Sequence, residues 1–272
     1  FKVTQYFFFK QWTELKNYAN QKGIQIIGDM PIYVAADSVE VWTKPELFQL
    51  DEERNPLFVA GVPADQFSAT GQLWGNPLYA WEEHKKQGYA WWIHRIEESF
   101  KIYDVLRIDH FKGFSDYWQV DGKAEVAKDG SWQPGPGYDL FKAVKEQLGD
   151  LPIIAEDLGN IDDKARKLLT DCNYPGMKIL QFGFEDVSGE SLDSPHYCIP
   201  HSIVYTGTHD NDVTNGWYNS LTEQQQQYIN DYTHRHEDES ICQAMIRQLF
   251  ATVSNTAIAT MQDVLDLPAS SR

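Results

Sequence analysis

Cysteine is scarce in this chain. Three among 272 residues, Cys172, Cys198 and Cys242, make an odd count at wide spacing. That speaks against a disulfide framework or a zinc-ligand pattern and points to a reducing, cytoplasmic setting. Basic residues are also few, 23 Lys and Arg against 40 Asp and Glu, for a net charge of −17. Such a chain repels polyphosphates and anionic headgroups, so nucleic acid and membrane surfaces are excluded as expected partners, whereas neutral ligands stay compatible. No run of about 18 apolar residues exists, so no membrane span is expected, and no signal peptide is visible. No internal repeat stands out, and the short run Gln224–Gln227 reads as a solvated helix face. The chain begins at Phe1 rather than Met, inside a helical pattern, and reads as a piece of something longer.

Aromatics, by contrast, are plentiful: 14% of residues, with nine Trp and fourteen Tyr. They have two readings. One is a large aromatic core, which composition alone favours. The other is a set of flat platforms on which the C–H faces of sugar rings stack.

Apolar positions at helical spacing predict helices over 6–22, 85–102, 139–148, 162–169, 222–236 and 239–252. Short apolar runs predict strands over 24–29, 104–109, 153–156, 178–182, 202–206 and 257–262. Strands alternating with helices imply an α/β fold with a parallel sheet and right-handed crossovers. Residues 33–83, with Pro45, Pro56, Pro63 and Pro77 and little periodicity, read as a loop-rich insertion, and 110–138 as a second long loop. Insertions this long in a compact domain are usually functional. Their place after the first two strands suits the βα loops at the active face of a barrel.

Three of the predicted strands end in acid: Leu106-Arg107-Ile108-Asp109-His110, Ile153-Ile154-Ala155-Glu156-Asp157 and Val204-Tyr205-Thr206-Gly207-Thr208-His209-Asp210. If all three acids sit at carboxyl ends of strands, they converge on one pocket. Two carboxylates flanking a bond are the usual apparatus for cleaving a glycosidic link, one acting at the sugar carbon and one protonating the leaving oxygen. Crowded acids push their pKa values apart. Arg107, two residues before Asp109 and on the same strand face, would hold Asp109 ionised; Glu156 has no cation nearby in sequence and suits the proton donor. His110 and His209 are candidates for bonding sugar hydroxyls. The plainer alternative makes each acid a helix N-cap, with Asp157 the better cap beside Glu156. His110 also reads as a structural histidine, Asp29 as a turn former, Asp37 as a cap, and Trp74, Trp118 and Trp132 as core.

The strings GDMPIYVAADSVEVW (28–42), GQLWGNPLY (71–79), LRIDHFKG (106–113), GPG (135–137), IIAEDLG (153–159) and THDND (208–212) closely resemble the 4-alpha-glucanotransferases. These are the amylomaltases or disproportionating enzymes, glycoside hydrolase family 77 of the α-amylase clan, and the resemblance runs the length of the chain. It implies a (β/α)8 TIM barrel, present here as a partial barrel over residues 1–272, approximately strands three to eight, with 33–83 inserted near the active site. Six strands of eight cannot close a barrel, so the edges at Ile24–Asp29 and Ala257–Gln262 would need cover.

The resemblance further implies transfer of α-1,4-glucan segments to the 4-hydroxyl of an acceptor glucan or glucose, by a retaining double displacement. Asp109 matches the nucleophile, Glu156 the acid/base, and Asp210 the third acid that grips sugar hydroxyls. Arg107 and His209 match companions of these acids, Asp29 a substrate-binding acid, and Trp74 and Asn76 a glucan-contacting loop. The implied partners are maltooligosaccharides, amylose-like glucans and glucose, with no cofactor and no metal. Two alternatives stand beside it: a catalytically inactive fragment with at most glucan binding, and a hydrolase of the same clan.

Overall fold

The computed structural model describes residues 1–64, 68–159 and 161–272, so part of the 33–83 segment, residues 65–67, lies outside the description. The chain divides into two compact units, Phe1–Tyr174 and Pro175–Arg272.

The first unit opens with helix α1 (Lys2–Gln21), which ends where Gly23 takes a left-handed φ of 74°. Strand β1 (Ile27–Met30) follows. It pairs in parallel with β4 (Val105–Ile108), which pairs in parallel with β7 (Ile153–Ala155). Gly28 is required here, because a Cβ would lie 2.0 Å from the ring of Tyr103. The core behind this sheet is strongly aromatic, with Trp92, Tyr79, Phe111, Phe114 and Phe141 at 2% exposure or less. Part of the aromatic composition is therefore core, while other aromatic side chains lie at the surface, among them Trp74 and Trp132 at 37% and 43% exposure.

The two segments read as loops contribute the strands of one sheet. After helix α2 (Val39–Thr43) come strands β2 (Phe58–Val62) and β3 (Gln72–Pro77); after β4 come β5 (Asp116–Asp121) and β6 (Ser131–Pro134). They form a four-stranded antiparallel sheet in the order β3-β2-β5-β6. The first insertion supplies one hairpin and the second supplies the other, joined by β2 against β5. Gly61 lets β2 and β3 close up, since a Cβ there would sit 2.4 Å from the Gln72 carbonyl. Strands such as Gln72-Leu-Trp-Gly-Asn-Pro77 escape a periodicity reading because Gly and Pro interrupt them and their partners are remote in sequence.

The helix expected over 85–102 is two helices, α3 (Trp81–Lys86) and α4 (Ala90–Ile102), broken where Gly88 and Tyr89 both turn left-handed. Helix α5 (Tyr138–Leu148) leads into β7, and α6 (Asp163–Cys172) ends the unit's regular structure.

The second unit has its own parallel sheet, β8 (Gly176–Ile179), β9 (Ser202–Tyr205) and β10 (Thr256–Ile258), with β9 central. Where a strand was expected to run on to 182, Leu180–Gly183 turn as helix α7; the strand expected over 257–262 stops at Ile258, and Met261–Val264 form helix α11. Between β9 and β10 lie α8 (Thr214–Ser220), α9 (Glu223–Thr233) and α10 (Ile241–Ala251), the last two opened by capping boxes from Thr222 and Ser240. Leu180, Phe184, Val204, Ile229, Met245 and Leu249 form this unit's core. Among the described residues, no helix is long and apolar enough to cross a membrane.

Candidate active site

Register places the first unit's polar groups. Asp29 on β1 is the in-register partner of Arg107 on β4, and Arg107 is partnered by Ile154 on β7. In-register neighbours point to the same side of a sheet, as do residues two apart along one strand. Asp29, Arg107, Asp109 and Glu156 therefore share one face at the strands' carboxyl ends. Asp109 lies one residue past β4 and Glu156 one residue past β7, with Glu156 N–H bonded to the Ile108 carbonyl at 2.9 Å.

Arg107 is the buried cation of this group, with 8% of its side chain exposed. Its Nη1 donates to both Asp29 oxygens at 2.7 Å and stands 2.9 Å from Asp109 Oδ1. Burial opposes its charge, but the carboxylates of Asp29, Asp109 and Glu156 outweigh that and raise its pKa. Arg107 thus stays charged between the two carboxyl groups it contacts.

Glu156 is held differently. Its Oε2 accepts the His110 main-chain N–H and its Oε1 the Leu158 N–H, each at 2.7 Å. Burial is the largest influence on it and, with the nearby negative charge of Asp109, pushes its pKa up to about 7 against the pull of those two N–H groups and Arg107. It is therefore poised to give and take a proton near neutrality. The side-chain cap of α6 is Asp162, which accepts from Ala165 N–H at 2.9 Å, rather than Asp157. Likewise Ser38, not Asp37, caps α2.

A small cleft of about 160 Å³ opens beside Asp109, lined by Pro31, Ile32, Tyr33, Trp74, Asn76 and Asp109. Trp74 and Asn76 are brought there by β3. Asn76 Nδ2 donates to the Val34 carbonyl at 3.0 Å, and the Trp74 ring stands edge-on to His110 at 4.8 Å between centroids. His110 follows Asp109 in a left-handed conformation, and burial, helped by the charge of Lys112, lowers its pKa to about 4, so it is neutral at physiological pH.

Several contributors were not singled out from sequence. Tyr33 and the Pro31–Ile32 backbone line the cleft, and that backbone is pinned from behind. The Ile32 carbonyl accepts from Tyr79 Oη at 2.7 Å and Arg95 Nη1 at 3.1 Å, and the Pro31 carbonyl from Arg95 Nη2 at 2.7 Å. Their signal was the Met30-Pro31-Ile32-Tyr33 string directly after Asp29. Lys112 is a second buried cation, bonded to Asp116 at 2.6 Å and Asp162 at 2.9 Å, with Nζ 4.5 Å from the Trp132 ring centre. It ties the segment after Asp109 to the start of α6 and holds the Asp162 pKa down to about 2.

Asp210 and His209 belong to the second unit, in the loop between β9 and α8. Their side chains are 69% and 67% exposed and approach each other at 3.4 Å. Asp210 caps no helix; the residue before α8 is Val213. Asp210 N–H donates to Thr208 Oγ1 at 3.2 Å, and Asn211 Oδ1 accepts from Thr208 N–H at 2.8 Å, bracing the loop from within.

Comparison with known proteins identifies the lineage. The family model described as 4-alpha-glucanotransferase matches residues 1–272. The 4-alpha-glucanotransferase of Streptococcus pneumoniae serotype 4 is 53% identical over 272 residues, covering 100% of this chain and 54% of that protein. The Clostridium butyricum 4-alpha-glucanotransferase is 45% identical over 275 residues, covering 100% of this chain and 56% of that protein. Among solved structures, the amylomaltase from Streptococcus agalactiae in complex with acarbose superposes with a TM-score of 0.97 at 61% identity, over 99% of this chain and 55% of that one. The Corynebacterium glutamicum amylomaltase shares the fold at a TM-score of 0.75 and 15% identity, over 92% of this chain and 40% of that one. The chain spans about half the length of the curated relatives it matches. With the α/β fold and the strand-end residues already described, these matches show that the chain belongs to the 4-alpha-glucanotransferases, glycoside hydrolase family 77.

Proposed function

We propose that the protein transfers α-1,4-glucan segments from a donor maltooligosaccharide to the 4-hydroxyl of an acceptor glucan or glucose. One observation carries the reading: two carboxyl groups at neighbouring strand ends are held in contrasting surroundings. Asp109 is paired with the buried Arg107, while the half-buried Glu156 has its pKa pushed up to about 7. In the first step an Asp109 oxygen bonds to the anomeric carbon as the bond to the leaving O4 breaks, and Glu156 protonates that O4. In the second, the acceptor's 4-hydroxyl attacks the same carbon, Glu156 takes its proton, and the bond to Asp109 breaks. Both inversions together retain the α configuration.

Asp29, Trp74, Asn76 and Arg107 are assigned to substrate binding. Cleft contact by Trp74 and Asn76 supports this, as does the Asp29–Arg107 pair. Asp210 and His209 are assigned the grip on sugar hydroxyls, on the strength of the THDND string. The acarbose bound by the Streptococcus agalactiae amylomaltase supports a maltooligosaccharide-like ligand. In the same reading, the six parallel strands are approximately strands three to eight of a (β/α)8 barrel spanning 1–272, the segment 33–83 inserts beside the active site, and the setting is cytoplasmic.

The test is incubation with maltotriose. Glucose together with oligomers longer than the substrate supports transfer; shortening alone points to a hydrolase; retained glucan binding without products points to the inactive alternative. Asp109→Asn should cost several orders of magnitude in rate, and equal rates would end the nucleophile assignment. Asp109 and Glu156 carboxyls about 5–5.5 Å apart in a crystal structure would fit retention, whereas 8 Å or more would oppose it.

A further inference from the structure

Asp263 is a buried carboxylate, 2% exposed, on helix α11 of the second unit, with no part in the chemistry above. Its two oxygens reach opposite ends of one loop. Oδ2 accepts from Thr206 Oγ1 at 2.6 Å, one residue past β9, and Oδ1 accepts from the Thr214 N–H at 3.0 Å, the first residue of α8. Both threonines are fully buried. Between them lie residues 207–213, which carry His209 and Asp210. A third tie comes from the buried Gln181, whose Nε2 donates to the Asp212 carbonyl at 2.9 Å. Thr260, which caps α11 by accepting from Asp263 N–H at 3.2 Å, sets the angle of that helix and so of the carboxylate.

A carboxylate that takes one bond from each end of a loop fixes the distance between those ends. The loop between is then left few conformations, although the side chain at its tip is largely exposed. We infer that Asp263 is a positioning residue for Asp210, closing the 206–214 loop at its base so that the Asp210 carboxylate is presented in one orientation. The inference rests on the role proposed for Asp210.

The test uses a double-mutant cycle on maltotriose disproportionation by the enzyme. Asp263→Ala is expected to lower kcat about 100-fold, the scale of an ångström-sized misplacement of a catalytic group, with a much smaller change in KM. Asp263→Asn keeps an acceptor for Thr214 N–H, and the Thr206 hydroxyl can turn to accept from its amide, so it should recover most of that loss. Added to Asp210→Ala, the Asp263→Ala change should cost little more, because its effect passes through the same side chain. If Asp263→Ala does not fold, Thr206→Val removes the bond to Asp263, together with the long acceptor contact to Thr260 N–H at 3.5 Å, without changing shape, and Thr206→Ser should restore activity. Wild-type kcat in Thr206→Val and Asp263→Ala, or effects that simply multiply with those of Asp210→Ala, would overturn the inference on Asp263 alone. Wild-type kcat in Asp210→Ala overturns the role of Asp210 itself and leaves Asp263 nothing to act through.

Discussion

The His110 main-chain N–H donates to Glu156 Oε2 at 2.7 Å. The bond links the residue after Asp109 to the side chain of Glu156, so the two carboxyl groups are held by adjoining pieces of backbone and not by flexible side chains alone. It also favours the charged form of Glu156, yet burial outweighs it, leaving the group near neutrality.

That balance sets the expected pH profile. In the proposed mechanism donor cleavage needs protonated Glu156, so kcat/KM is expected to fall above about pH 7, approaching tenfold per unit. A flat profile to pH 9 in steady-state assays would show that another group delivers the proton.

The same shift makes a stability statement. Glu156 rises from an ordinary 4.5 to about 7 on folding, so the folded state prefers the protonated form. Its favourable contribution is complete below about pH 4.5 and is lost as pH rises through about 7, a change of about 3 kcal/mol. Glu156→Gln mimics the protonated group at every pH. Urea unfolding should therefore show the variant gaining on the wild type by about that amount between pH 4.5 and 8, while losing activity.

Asp109 and Arg107 act on Glu156 with opposite signs. Asp109→Asn removes a negative neighbour and should lower the Glu156 pKa; Arg107→Met removes a positive one and should raise it. Carbon-13 NMR of labelled glutamate carboxyls reads both. Arg107→Met should also destabilise by about 1–3 kcal/mol, because it removes the charge-assisted hydrogen bonds to Asp29 and Asp109, whose half-exposed carboxyl groups water can then solvate.

Trp74 is more than a third exposed and contributes a wall of the cleft, so its loss should affect ligand more than fold. Trp74→Ala is expected to weaken maltooligosaccharide binding about tenfold, near 1.4 kcal/mol, with an unchanged melting temperature. Unchanged affinity by calorimetry would remove Trp74 from the binding surface.

Some of this was legible along the chain. The six parallel strands could be found because each is a short apolar run framed by helices, and Asp109, Glu156 and Arg107 stood out as charge at strand ends. The antiparallel sheet was hidden. Its strands are half-buried, broken by Gly61, Gly75 and Pro77, and completed only by pairing β2 with β5 across the whole of α3, α4 and β4. The cap of α6 was misplaced because Asp157 and Asp162 look alike as sequence, and only the helix start distinguishes them.

By itself, the sequence determined the family, through the motif strings that resemble it, and the α/β alternation with the residue types at the strand ends, because local periodicity dictates which side chains face a core. Tertiary structure alone decided that Arg107 serves Asp29 and Asp109 together, that Glu156 is buried enough to hold a proton to about pH 7, and that Asp263 spans the Asp210 loop. Those properties depend on strand register and on exclusion of water, and both are set by residues far apart along the chain.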